Sequence, residues 1–229
     1  MTFDPAEYVA AVRELYAAHA NLVDAPFMQR YMQDQFPFFG IKKPLRAMLS
    51  QQFIQQHGIP VAEDLKEVCR LCFGEEEREM QYFVNDLLGK IVKKLDRDFL
   101  EVFESLLLQK SWWDTVDFLA PKLAGKLLQQ YPTEILSYPD HWIESDNKWL
   151  QRAAIIFQLG YKEKTDPQLL FRYILRRADS KEFFVQKAAG WALREYSKQN
   201  PEAIQNFIAA APLSKLTVRE GLKRVNKGG

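Results

Sequence analysis

The chain has 229 residues, of which 47% are hydrophobic and 27% are charged, so it can bury the core of one globular domain or one continuous repeat array. This apolar fraction is too high for an intrinsically disordered chain. The N-terminal residues lack the apolar segment of a secretory signal, and no run of about 18 apolar residues could span a bilayer. We therefore expect a protein of the cytoplasm that does not bind a membrane.

The charge is divided unevenly along the chain. Residues 145–229 hold 16 Lys and Arg against 8 Asp and Glu, which gives +8, whereas residues 1–144 carry −7 and the whole chain +1. A basic C-terminal third is compatible with a surface that binds a polyanion, and equally with an ordinary solvated face.

The two cysteines do not indicate a metal site. Cys69 and Cys72 are close together, but the three histidines lie far away in the sequence, at positions 19, 57 and 141. A structural zinc site needs four ligands, so we predict two reduced cysteines on a helix and no bound metal.

Apolar residues recur at helical spacing through almost the whole chain, and Gly and Pro fall between the periodic segments. The first helix begins at Asp4 and Pro5, which fit an N-cap and the first helical position. Further helices are predicted over residues 27–36, 43–56, 61–73, 75–93, 96–108, 110–131, 133–143, 147–159, 166–178, 181–198, 201–210 and 214–225. We predict an all-α fold in a single domain over residues 1–229.

The helices form pairs with a regular period. Tyr82, Asp117, Arg152 and Lys187 follow one another at intervals of 35 residues. Such a period, without a tetratricopeptide signature, predicts a HEAT-like helical repeat solenoid. Equivalent helices of a solenoid lie side by side, so these polar residues are expected to face out of the core and into a concave surface.

The segment 110–117 contains two adjacent tryptophans and two carboxylates. In a helix, Trp113 and Asp117 lie one turn apart on the same face. In one reading, Trp112 and Trp113 are core anchors while Asp114 and Asp117 are solvated or bonded to nearby backbone. In the other, a π surface and a carboxylate together hold a cation. The repeat register favours the second reading, because it brings Arg152 and Trp191 to the same wall.

In these stretches the sequence resembles the AlkD-type alkylpurine DNA glycosylases, which are HEAT-like DNA alkylation repair enzymes. The matching segments are 28–32, 110–117, 145–155, 180–188 and 190–196. The resemblance implies an all-α solenoid with a concave DNA-binding face and no metal or cofactor. It also implies that the protein removes positively charged N3- and N7-alkylated purines from duplex DNA. We expect a monomer of a bacterial cytoplasm that associates with the nucleoid when it acts on DNA.

The resemblance also implies roles for individual residues. Asp117 matches the catalytic aspartate, and Trp113 and Trp191 match two tryptophans that cradle the deoxyribose of the lesion. Arg152 matches an arginine that contacts DNA close to the lesion, and Tyr31 matches a tyrosine that helps to close the site. Three more cations are expected to bind DNA: Lys148, Lys187 and Arg194.

The implied chemistry is physically reasonable. An alkylated purine that already carries a positive charge can leave without protonation, so no general acid is needed. A carboxylate and two π faces would stabilise the oxocarbenium-like sugar more in the transition state than in the ground state. The resemblance also implies that the enzyme works without a pocket for a flipped base, and a wall of cations suits recognition of the DNA backbone.

Two alternative functions stay open at the level of sequence. A non-catalytic HEAT-like scaffold that binds DNA or protein would explain the repeats, but it would leave the cluster of Trp, Asp and Arg residues without a role. A DNA-binding homologue that has lost activity would retain the cations. An assay on methylated DNA separates both from a glycosylase.

Overall fold

The computed structural model describes residues 3–225, apart from the side chain of residue 62, and this part of the chain is helical without a β-strand. The predicted all-α fold is therefore confirmed. None of the described helices is long and apolar enough to cross a lipid bilayer.

The chain divides into two compact units, Met1–Lys94 and Leu95–Gly229. The single domain over residues 1–229 stays a prediction. The first unit contains α1 (Pro5–Ala18), α2 (Ala25–Tyr31), α3 (Lys43–His57), α4 (Ala62–Gly74) and α5 (Arg78–Ile91). The second contains α6 (Phe99–Leu108), α7 (Trp113–Phe118), α8 (Gly125–Gln130), α9 (Pro139–Glu144), α10 (Lys148–Ile156), α11 (Pro167–Arg176), α12 (Phe183–Tyr196), α13 (Pro201–Ala210) and α14 (Lys215–Leu222).

Two differences from the predicted helices have a local cause in the backbone. The helix expected over residues 133–143 is instead a short 3-10 turn, Pro132–Ile135, followed by α9. Pro139 explains the break, because it has no N–H to donate to the carbonyl of Ile135 and its ring crowds that carbonyl. The helix expected over residues 27–36 ends at Tyr31, since Gln33 and Asp34 adopt positive φ angles of 56° and 55°.

In the first unit, Glu79 of α5 organises the loop that precedes α3. Its buried carboxylate accepts backbone hydrogen bonds from Phe39, Gly40 and Ile41 at 2.9 to 3.1 Å. Gly40 has a φ of 89°, and a side chain there would collide with the backbone at Asn21. The loop can therefore lie directly against the turn that leads into α2.

In the second unit, α7 and α8 are joined by a π-helical segment, Leu119–Ala124, so that residues 113–130 form one continuous but irregular helix. Pro121 lies within this segment and has no N–H to offer the carbonyl of Asp117, four residues earlier. A π-helical turn is rare, and it often occurs at functional sites. Here it directly follows the turn that carries Asp117.

The core of the second unit is built around α10, which packs against both α7 and α12. Every residue of α10 from Trp149 to Ile156 is buried. Side-chain contacts recur between residues 32 to 36 positions apart, as in the pairs Asp140 with Arg172 and Gly125 with Tyr161. Stacked helical repeats with a period near 35 residues produce this pattern.

Replacing Glu79 tests how the loop of the first unit is held. In Glu79→Ala, three buried N–H groups lose their acceptor, so we expect the free energy of unfolding to fall by about 3 kcal/mol. Glu79→Gln keeps one acceptor oxygen and should lose less. Denaturant unfolding measures both, with Glu76→Ala as the control because Glu76 is an exposed glutamate in the connection that leads into α5. Equal stability of Glu79→Ala and Glu76→Ala would contradict this account of the loop.

Candidate active site on α7, α10 and α12

The candidate site is centred on an ion pair between Asp117 of α7 and Arg152 of α10. Arg152 donates from Nε to Oδ1 of Asp117 at 2.7 Å and from Nη2 to Oδ2 at 2.8 Å. These parallel bonds form the bidentate geometry in which guanidinium and carboxylate groups pair most strongly. The 35-residue register, which predicted that the two side chains would be neighbours, is confirmed here.

The guanidinium of Arg152 is held from a third direction as well. Its Nη1 donates to the carbonyl oxygen of Phe184 in α12, at 2.6 Å. One side chain of α10 thus connects the backbone of α12 to the carboxylate on α7. Three separate nitrogens of Arg152 are engaged, so its position relative to Asp117 is closely defined.

An aromatic cluster lies against this ion pair. Trp112, Trp149 and Phe184 pack with their ring centroids 4.9 to 5.5 Å apart, and Arg152 lies 6.0 Å from the ring of Phe184. Trp112 is the extended residue before α7, rather than part of the helix as predicted. No role was predicted for Trp149 and Phe184, although they are themselves 35 residues apart and the register could have paired them.

The position of Arg152 corrects one sequence expectation. Arg152 was expected to face out of the core, yet only 5% of its surface is exposed. The physical reason is that α10 is covered by the helices around it, so a charged residue there must be paired inside. Asp117, whose side chain is 20% exposed, keeps partial access to solvent.

Burial raises the pKa of Asp117 above its usual value, and the hydrogen bonds and charge of Arg152 oppose that shift. Arg152 therefore favours the carboxylate over the neutral acid. A carboxylate has about four lone-pair sites, of which Arg152 uses two. The others can accept a proton or face a developing positive charge.

The two predicted tryptophans lie on different helices that pack against α10. Trp113 lies one turn before Asp117 in α7, and Trp191 lies in the middle of α12. Both are partly exposed. Their helices are each in contact with α10, so the two helices that carry the predicted catalytic residues and the helix that carries Arg152 belong to one packed group.

The predicted DNA-binding lysines and Arg194 take part in ion pairs. Lys148 pairs with Glu182 at 3.4 Å, whereas Lys187 and Arg194 both pair with Glu220, at 3.3 and 3.2 Å. The sequence reasoning did not identify Glu220, which comes from α14 and lies outside the 35-residue columns. These cations are nonetheless partly exposed.

Tyr31 belongs to the first unit. It ends α2, and 70% of its surface is exposed. Its role in closing the site stays a prediction. Cys69 and Cys72 are free and buried on α4, and the described residues contain no group of three or more His, Cys, Asp or Glu that could hold a metal ion.

Comparison with known proteins identifies the family of this chain. A search of curated proteins found no match. Among solved structures, a predicted DNA alkylation repair enzyme from Enterococcus faecalis is 36% identical, with a TM-score of 0.84 over 91% of this chain and 97% of that one.

Two streptococcal structures are more distant. AlkD2 from Streptococcus mutans is 17% identical, with a TM-score of 0.65 over 96% of this chain and 98% of that one. The protein smu.31 from Streptococcus mutans UA159 is 20% identical, with a TM-score of 0.59 over 79% of this chain and 98% of that one. Both support the helical fold.

The family model described as DNA alkylation repair enzyme matches residues 12–225. This range includes all three helices of the candidate site and nearly the whole of both units. The chain therefore belongs to the DNA alkylation repair enzyme family.

Proposed function

We propose that this member of the family is a DNA glycosylase. It hydrolyses the N-glycosidic bond of cationic N3- and N7-alkylated purines in duplex DNA, acts as a monomer, and needs neither a metal nor a cofactor. The observation that carries the proposal is the bidentate Asp117–Arg152 pair, which fixes a partly exposed carboxylate on the helix that also presents Trp113.

The reaction follows from the charge of the substrate. The bond between C1′ and the purine nitrogen breaks, and its electron pair moves to the purine and neutralises the positive charge there. Positive charge develops on the sugar. The Asp117 carboxylate stabilises this charge, and the faces of Trp113 and Trp191 add cation–π attraction.

Water completes the hydrolysis. Its oxygen forms the new bond to C1′, and Asp117 accepts the proton that this water loses and passes it to solvent. The free lone pairs of the carboxylate suit both tasks, because Arg152 occupies only two of them. Arg152 acts as a positioning residue that keeps Asp117 ionised and correctly oriented.

The close packing of side chains around the Asp117–Arg152 pair favours a mechanism without base flipping. Next to the Asp117–Arg152 pair, the space is filled by the contacts of Arg152 and by the packed rings of Trp112, Trp149 and Phe184. An enzyme that flips its target needs a pocket for the base. We infer that this protein contacts sugar and phosphates while the modified base stays largely in the duplex.

A non-catalytic scaffold is the second candidate function. The stacked helices and paired cations alone would suit binding of DNA or protein. That function gives no reason to hold a carboxylate with two charge-assisted hydrogen bonds beside partly exposed tryptophans, so the glycosylase is the better account of the site.

The Asp117→Asn variant tests the proposed chemistry. The amide keeps the shape but loses the negative charge, so we expect release of 7-methylguanine from duplex DNA to slow by at least 100-fold, an effect of the size seen when one electrostatic group is removed from an active site. Binding to undamaged duplex should persist. Single-turnover release and a binding titration measure the two properties, with Asp114→Asn as the control one turn earlier. Normal release by Asp117→Asn would remove this residue from the mechanism.

The absence of flipping predicts tolerance of large adducts. If the base stays in the duplex, a bulky cationic N3 or N7 adduct meets no confining wall, and it should be excised within about 10-fold of the methylated base. The measurement compares single-turnover release of both lesions from one duplex sequence, after spontaneous loss is subtracted. Release of the methylated base alone would show that the base is inspected in a confined site.

A further inference from the structure

A buried carboxylate on α14 gathers basic side chains from two helices. The Oε atoms of Glu220 lie 2.7 Å from Lys223 Nζ, and its side chain is only 5% exposed. Among the described residues, three more side chains place a charged nitrogen within 4 Å of this carboxylate: Arg194 at 3.2 Å, Lys187 at 3.3 Å and Arg219 at 3.9 Å. We call these five residues the Glu220 cluster.

Close packing of α14 on α12 builds the cluster. Gly190 of α12 faces α14, and a Cβ at that position would lie 3.0 Å from the carbonyl oxygen of Thr217 and closer still to the side chain of Glu220. A residue with a side chain would therefore push α14 away. With glycine there, the carboxylate reaches Lys187 and Arg194 directly.

The cluster lies beside one of the proposed catalytic residues. Lys187, Trp191 and Arg194 are at i, i+4 and i+7 on α12, so they share one face of the helix. The two cations lie about one turn on either side of the tryptophan, within roughly 6 Å along the helix axis. A sugar held against Trp191 would thus place its flanking phosphates near this group of cations.

The cluster carries a surplus of positive charge. Four cations surround one carboxylate, for a net charge of +3, whereas Lys148 with Glu182 and Arg152 with Asp117 are single pairs. Hydrogen bonds from Lys223 hold the pKa of Glu220 below its usual value, so the carboxylate stays charged. The cations are more exposed than Glu220, and the surplus therefore faces solvent.

We propose that the Glu220 cluster binds a phosphate of the DNA backbone next to the lesion, so that Arg219 and Lys223 extend the DNA-binding surface onto α14. Glu220 is the buried anchor that keeps like charges close together. The anion has to be a polyanion such as duplex DNA, because a single small anion would gain little from cations contributed by two helices. The inference rests on the proposed function for the identity of its partner.

The salt dependence of binding to an undamaged duplex tests the inference. The logarithm of the association constant for DNA falls linearly with the logarithm of the salt concentration, and Lys223→Ala should make this slope less steep by about 0.9. The loss of affinity between about 50 and 200 mM salt then becomes about 3.5-fold smaller. Lys223→Arg should keep the slope of the original protein, because the charge is retained.

Lys198→Ala is the matched control. Lys198 also forms an i,i+3 ion pair with a glutamate, and its side chain is 42% exposed compared with 46% for Lys223, but it lies outside the Glu220 cluster. Its removal should leave the slope unchanged. Arg219→Ala provides a second variant at a 70% exposed side chain, and it should also make the slope less steep.

Unchanged slopes in both Lys223→Ala and Arg219→Ala would overturn the inference, as would an equal change in Lys198→Ala. Release of 7-methylguanine by the original protein is measured in parallel. Normal release together with unchanged slopes would reject phosphate binding by the Glu220 cluster but not the proposed glycosylase. No release would reject the proposed glycosylase, whatever the slopes show.

Discussion

The bidentate pair between Asp117 and Arg152 is the interaction on which the site depends. It joins α7 to α10, and the bond from Arg152 to the carbonyl of Phe184 adds α12. Taking two charges out of water costs several kcal/mol for each ion, and removing one partner of such a pair typically costs about 3–5 kcal/mol. The site tolerates the buried guanidinium because three of its nitrogens have hydrogen-bond partners.

This arrangement links stability to function. The packed rings of Trp112, Trp149 and Phe184 lie next to the ion pair, while Asp117 retains some exposure to solvent. A fixed carboxylate needs little reorganisation when a positive charge develops nearby, which is the physical basis of electrostatic catalysis. The π-helical segment at Pro121 separates this turn from the regular helix that follows.

Periodicity alone predicted much of this molecule. Helical spacing predicted an all-α chain, and the 35-residue register predicted that Asp117 and Arg152 would be neighbours. The register could not show that α10 is covered by other helices, so Arg152 was expected on the surface although it is buried. It also could not find Glu220, because α14 contacts α12 outside the repeat columns. The break before Pro139 was readable in principle, since proline cannot donate the backbone hydrogen bond that a continuing helix needs.

The most direct test of this account is a double-mutant cycle on the ion pair. Single-turnover release of 7-methylguanine is measured for Asp117→Asn, Arg152→Gln and the variant with both changes, with thermal unfolding confirming that each is folded at the assay temperature. If Arg152 works only by holding Asp117, the double variant should be no slower than Asp117→Asn alone. Losses that multiply would contradict the account, because Arg152 would then contribute to the reaction independently of Asp117.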